Sequence, residues 1–320
     1  MHERLIDAGE VRLRAMVAGD GPLVLMVHGF PESWYSWRHQ IGPVAAAGFT
    51  ACAIDVRGYG GSDKPHAVEA YAMERLIADL VGVADALSPG APAILVGHDW
   101  GAPIVWNSAL VRPDKFRAVA ALSIPWQGVP PRPYDELYDL AFTQKGRFFY
   151  QAYFATQGVA EAEAEADPRR FLRQFIYALS GDVPEGSWPA DKPVGATMLD
   201  GLADCEMPLP WLSEADLDFY TAEFTRSGWR GPLNRYRNHR RDFDYLGAFR
   251  DRKIEQPALF IGGTRDLAFR MIGRSDPIEV MRRQVPDLRG AHRLEGCGHW
   301  TQQERPGEVN ALLVEWLVSL

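Results

Sequence analysis

An α/β fold, with a doubly wound and mostly parallel sheet and a mainly helical cap inserted into it, is what the sequence predicts. Three observations carry that expectation. Short, nearly continuous apolar runs recur along the chain, as strands buried on both faces require. Helical stretches with apolar residues near a 3.6-residue period alternate with them. The alternation breaks between about Pro125 and Asp242, and a buried-strand run returns at residue 256.

Taken in order, residues 11–17 ("VRLRAMV") alternate like an early strand, and residues 23–29 ("LVLMVHG") form an apolar run stopped by glycine. "TACAID" (50–55) and "APAILVGH" (91–98) repeat that run, with the amphipathic stretch "AYAMERLIADLVGVADAL" (70–87) between them. "FRAVAALSIP" (116–125) and "QPALFIGG" (256–263) continue the series. The span between them is rich in aromatic residues and helical segments, and carries a long Pro/Gly/Trp-bearing loop at 181–201. The division expected is a core domain of residues 1–125 and 243–320 with a helical cap at 126–242.

The 320 residues are 47% hydrophobic and 24% charged, an ordinary globular composition. A formal net charge of −8 speaks against nucleic acid or an anionic membrane surface as partner, since both need a basic footprint. Cys52, Cys205 and Cys297 are odd in number and far apart, which gives neither a disulfide framework nor metal-ligand spacing. A reducing cytoplasm is the natural compartment. Neither a signal-like apolar segment at the N-terminus nor a run of about 18 apolar residues is present, so a membrane span is not expected.

The chemistry begins at "LVGHDWGAP" (95–103), where an apolar strand runs through Gly97-His98-Asp99-Trp100-Gly101 into a helix. Glycines on either side of a central residue allow a sharp strand-turn-helix elbow, and Pro103 is tolerated in the first helical turn. The ordinary role of an aspartate there is to cap a helix. The glycine spacing and the partners that follow favour a nucleophile instead. "HGFP" (28–31) follows the first buried run, and its geometry nominates the N–H groups of Phe30 and Trp100 as an oxyanion hole. Asp266 ends the strand run "LFIGG" in a loop, and His299 follows the Gly-bounded turn of "LEGCGHW" near the C-terminus. The order Asp99, Asp266, His299 is the nucleophile-acid-histidine order of α/β-hydrolases. His299 would be the base, and Asp266 would fix its tautomer. His28 and His98 read as structural, His239 and His292 as surface residues. "DVRGYGGSDKP" (55–65) lacks the pattern of a phosphate cradle and reads as a tight structural loop, with Asp55 and Arg57 bonding backbone.

Together these residues resemble the epoxide hydrolases of the α/β-hydrolase fold, most nearly the soluble epoxide hydrolase type. The resemblance spans nearly the whole chain: "HGFPESWYSWRHQI", "DVRGYGGSDKP", "GHDWGAPIVW", "YQAYF", "SGWRGPLNRYRN" and "GCGHWTQQERP". It implies Asp99 as nucleophile, His299 as base and Asp266 as the supporting acid. It further implies two cap tyrosines that hydrogen-bond the epoxide oxygen, Tyr150 and Tyr236; Tyr153, on the same helix face as Tyr150, is the alternative for the first. Phe30, Pro31, Trp100, Trp126 and Tyr153 are expected to contact substrate. Phe148, Trp188 and Trp211 are further candidates for an apolar pocket, whose mouth the 181–201 loop would shape. No metal or cofactor is expected. A separate phosphatase domain, found in some animal members, is not expected ahead of a hydrolase strand that begins near residue 11.

Aspartate at the elbow selects the chemistry. Attack on an sp³ carbon alkylates the nucleophile; a serine would end as an inert ether, whereas an aspartate ends as an ester that water can cleave. The expectation is conversion of a small apolar epoxide and water to a vicinal diol by a cytoplasmic monomer or homodimer. The alternatives are a haloalkane dehalogenase, which uses the same aspartate chemistry but lacks the tyrosine pair, and a non-catalytic ligand receptor on the same fold.

Overall fold

The computed structural model describes residues 1–271 and 276–320. Eight strands form one sheet: β1 (His2–Asp7), β2 (Arg12–Ala18), β3 (Leu23–Val27), β4 (Thr50–Ile54), β5 (Ala93–His98), β6 (Phe116–Leu122), β7 (Ala258–Gly263) and β8 (Leu288–Leu294). Their spatial order is β1-β2-β4-β3-β5-β6-β7-β8. β1 pairs antiparallel with β2 and β2 antiparallel with β4, while every later pair is parallel. Strands β3, β5 and β7 are buried at every residue, which is why they read as unbroken apolar runs. β1 and β8 lie at the two sheet edges and are mostly exposed or half-buried, so they carry no such run and sequence reading passed over them.

α1 (Ile41–Ala46) packs on one face of the sheet, and α2 (Met73–Leu87) and α3 (Gly101–Val111) pack on the other. Between β6 and β7 the chain is helical: α4 (Tyr134–Ala141), α5 (Tyr150–Ala155), α6 (Val159–Ala166), α7 (Pro168–Leu179), α8 (Glu214–Ser227), α9 (Arg230–Asn234) and α10 (His239–Leu246). An irregular segment, 180–213, separates α7 from α8, and the β pairing in this span among the described residues is limited to isolated bridges at Arg147–Pro193 and Leu209–Leu212. α10 runs across the boundary expected at residue 242. The chain ends with α11 (Leu267–Met271), α12 (Pro277–Gln284), α13 (Thr301–Glu304) and α14 (Pro306–Val318).

Two apolar clusters sandwich the sheet. One continues from β3 and β5 side chains through Phe30 into Phe154, Phe171, Phe224 and Trp229 of the helical segment. The helices between β6 and β7 therefore share one core with the sheet's carboxyl edge, where open α/β sheets bind ligands. Among the described residues no helix is long and apolar enough to cross a membrane.

Candidate active site

Asp99 occupies the turn between β5 and α3 with φ +49°, a left-handed conformation that aspartate tolerates better than most residues. The turn is this tight because its glycines have no room for a side chain. A Cβ on Gly101 would lie 2.0 Å from the Val27 carbonyl oxygen, and one on Gly29 would lie 2.3 Å from Asp99 itself. Close approach of β3, α3 and the "HGFP" loop thus fixes where the carboxylate stands.

Its two oxygens have different partners. Oδ1 accepts the Phe30 N–H at 2.7 Å, and Oδ2 lies 3.2 Å from His299 Nε2. Behind the imidazole, His299 Nδ1 is 3.1 and 3.2 Å from the two oxygens of Asp266. The structure thus brings Asp99, His299 and Asp266 into one chain of contacts, in the order expected. Trp100 begins α3 at its N-cap; of the two amides expected to form an oxyanion hole, the one bonded to Asp99 is that of Phe30.

Burial disfavours both charges in this chain, and the pairing outweighs it. His299 is held well above the usual imidazole range by Asp266 and Asp99. Asp99 is held below the usual carboxylate range, chiefly by its hydrogen bond from His299. His299 thus lies between Asp99 and Asp266, and both favour its protonated form.

Sequence reading missed Glu32, Ser123 and Glu304, which together with the structural His98 hold this triad in place. Glu32, in the tail of "HGFPE" and 2% exposed, accepts from Gly29 N at 2.9 Å and from Gln302 and Gln303 Nε2 at 3.0 and 3.1 Å. It also contacts His98 Nδ1 at 2.8 Å. His98 Nε2 and Ser123 Oγ then reach the His299 carbonyl at 2.8 and 2.6 Å, while His299 N–H donates to Leu179 O at 2.9 Å. Glu304 accepts from the amides of Gly181, Gly298 and Trp300. A carboxylate buried among so many backbone N–H groups is a loop clamp, and its polar sequence neighbourhood, "TQQERP", gave no sign of it. His28 is structural as expected: its Nε2 accepts from Val56 N at 3.1 Å, and burial lowers its pKa.

A cavity of about 550 Å³ opens over Asp99, with Trp100, Trp126, Tyr138, Tyr150 and His239 in its walls. Tyr150 opens α5 and its ring centroid is 6.4 Å from that of Tyr236. Tyr236 itself is 3% exposed, set edge-on against Phe30, Trp100 and Phe154 at 5.5, 5.3 and 5.0 Å. Burial, then the Asp99 charge, keep both phenols protonated to well above the usual tyrosine range.

The remaining residues expected to contact substrate divide between the cavity and the packing around it. Tyr153 turns away from the cavity and donates its hydroxyl to Glu163 at 2.8 Å, which leaves Tyr150 as the tyrosine on the cavity side. Phe30 and Pro31 are buried and do not line the cavity; the Phe30 ring is enclosed by Phe154, Phe175, Phe224, Trp229 and Tyr236. Phe148, Trp188, Trp211 and the 181–201 loop also stay out of the wall. Phe148 instead carries the Lys192 ammonium over its ring, and the Trp211 indole donates to Asp182. His239 is buried rather than superficial, because α10 packs its first turn against Trp100, Tyr134 and Tyr138. Burial and neighbouring Arg235 lower its pKa to about 3, so it is neutral. Arg235 is itself committed, lying over the Trp100 ring at 4.6 Å and paired with Asp242. Among the described residues no group of three or more His, Cys, Asp or Glu side chains could hold a metal ion.

Comparison with known proteins agrees with this architecture. Residues 22–306 match the family model described as the alpha/beta hydrolase fold. The chain is 43% identical to "Epoxide hydrolase A" of Mycobacterium tuberculosis, over 99% of this chain and 98% of that one. Among solved structures, an epoxide hydrolase from an endophytic Streptomyces superposes with a TM-score of 0.93 at 47% identity, covering 99% of this chain and 95% of the other. Epoxide hydrolase A from Mycobacterium thermoresistibile superposes with a TM-score of 0.90 at 42% identity, covering 99% and 98%.

Proposed function

This chain belongs to the epoxide hydrolases of the α/β-hydrolase fold, and on that premise we propose that it adds water to an epoxide to give a vicinal diol through an ester on Asp99. The observation that carries the reading is the contact chain Asp99–His299–Asp266 at the floor of a cavity whose wall holds Tyr150.

In the first step an Asp99 carboxylate oxygen attacks an epoxide carbon, a C–O bond of the ring breaks, and the leaving oxygen takes a proton from Tyr150, assisted by Tyr236. Two neutral phenols suit this role, because each keeps its proton until an alkoxide develops beside it. Alkylation removes the negative charge of Asp99, and with it part of what holds the proton on His299. The imidazole then releases that proton, which restores the phenol, and becomes a base. In the second step His299 deprotonates water, hydroxide attacks the Asp99 carboxyl carbon, and the N–H groups of Phe30 and Trp100 receive the oxyanion. The ester C–O bond breaks, the departing alkoxide takes the proton that the hydroxide carried, and the diol leaves; His299 stays protonated and Asp99 returns as a carboxylate with one oxygen from water.

Halide displacement uses the same nucleophile but needs N–H donors for the leaving group, and the tyrosine pair favours an epoxide oxygen instead. Styrene oxide supplied to the purified protein should give phenylethanediol, while 1-chlorobutane should release no chloride above the uncatalysed rate. Chloride release without diol formation would reverse the assignment. The apolar cavity wall supports a small apolar epoxide as substrate. Three free cysteines support a cytoplasmic location, and the scatter of exposed large apolar residues supports a monomer or a homodimer with a modest interface.

A further inference from the structure

Gln151 is the residue next to Tyr150 in α5, and its side-chain amide donates to the Tyr150 hydroxyl oxygen at 2.9 Å. Neighbours in a helix point about 100° apart, so α5 does not impose this contact. The amide folds back over the start of the helix to reach it. The same amide also faces the Tyr138 hydroxyl across the cavity wall. Gln151 itself lines the cavity, and its Oε1 is buried without a partner among the described residues.

A phenol has one proton to give and two lone pairs to receive with. An N–H bonded to the Tyr150 oxygen occupies a lone pair and leaves the hydroxyl hydrogen free to turn elsewhere. No carboxylate or carbonyl among the described residues takes that hydrogen in a hydrogen bond. Tyr153, three residues on, is the contrast: its hydrogen is given to Glu163 and is unavailable to a ligand. The N–H also steadies negative charge on the phenol oxygen, so it counters the burial that keeps Tyr150 protonated.

Resting on the epoxide-opening reading above, we propose that Gln151 is a positioning residue, whose amide N–H holds Tyr150 so that the hydroxyl hydrogen faces the epoxide oxygen and supports the phenolate as that proton leaves. It acts on ring opening alone, since ester hydrolysis proceeds through His299, Phe30 and Trp100.

The test separates the two steps by rapid-quench mass spectrometry of the alkyl-enzyme in single turnovers of styrene oxide, with wild-type protein run alongside. Gln151→Met should slow alkylation about tenfold, the loss of one hydrogen bond to a developing charge, and leave ester hydrolysis unchanged. Gln151→Glu has nearly the same shape, but its carboxylate can only accept, so it draws the Tyr150 hydrogen away from the substrate. Its alkylation should be slower still at neutral pH and should recover as pH falls through the new carboxyl's pKa, an acid limb absent from wild type. In a Tyr150→Phe background, Gln151→Met should have no further effect. Wild-type alkylation rates in Gln151→Met, an equal loss in the Tyr150→Phe background, or a flat pH profile in Gln151→Glu would each overturn the role. If wild-type protein forms no diol, the epoxide reading itself fails, an outcome distinct from all three.

Discussion

Asp99 and His299 share a proton whose location changes through the proposed cycle. Pairing depresses the Asp99 pKa and raises that of His299, so Asp99 stays ionised, and able to attack, to below the usual carboxylate range. Once Asp99 is an ester, its support for the imidazolium is gone and the pKa of His299 falls. Alkylation should therefore persist to acid pH, whereas ester hydrolysis should slow as pH drops through the pKa of His299 in the intermediate. Stopped-flow traces should show more alkyl-enzyme accumulating as pH falls; a partition that does not change with pH would contradict the assignment of His299. The tyrosines act only in the opening step. Tyr150→Phe combined with Tyr236→Phe should reduce alkylation at least a hundredfold, at the low end of what general acids contribute, with little change in hydrolysis of ester already formed. An unaltered alkylation rate would remove them from the mechanism.

Elements position these residues through backbone contact. β3, β5 and α3 meet at glycines, and Gly101 touches the Val27 carbonyl so closely that a methyl group cannot be accommodated without moving α3 away from β3. Gly101→Ala should destabilise the fold by about 1–3 kcal/mol, with urea unfolding at a lower midpoint and the same slope. It should also cost activity beyond the unfolded fraction, because the elbow carries Asp99; wild-type stability in the variant would show that the contact yields. The central strands were legible because burial on both faces makes a strand's sequence uniformly apolar. β1, with "HERLID", and β8, with "LRGAHRL", were not, because an edge strand's sequence answers mainly to solvent. The same limit hid the cavity wall. Tyr150 and Tyr153 differ by less than one turn, and only their surroundings, Gln151 for one and Glu163 for the other, separate them.

Across the whole molecule, residues far apart in sequence converge on one point. The triad draws on the loops after β5, β7 and β8, and the tyrosines on the helices between β6 and β7. The spacing of glycines around Asp99 and the chain order of Asp99, Asp266 and His299 were readable beforehand, because the elbow and the sheet order constrain local sequence. The direction in which Phe30 points was not. Its backbone N–H meets Asp99 while its ring anchors an aromatic cluster that fastens the helical segment to the sheet, and no local pattern separates those two duties. Phe148, Trp188 and Trp211 show a related limit, since an aromatic side chain serves packing and binding equally well until its neighbours are known. What joins the parts functionally is the proposed ester on Asp99. A single turnover of excess enzyme with styrene oxide in ¹⁸O-water, followed by peptide mass spectrometry, tests that ester directly. The label should enter the Asp99 carboxylate while the first diol formed stays largely unlabelled; label in the first diol with none in Asp99 would mean that water attacks the epoxide directly and would contradict the account.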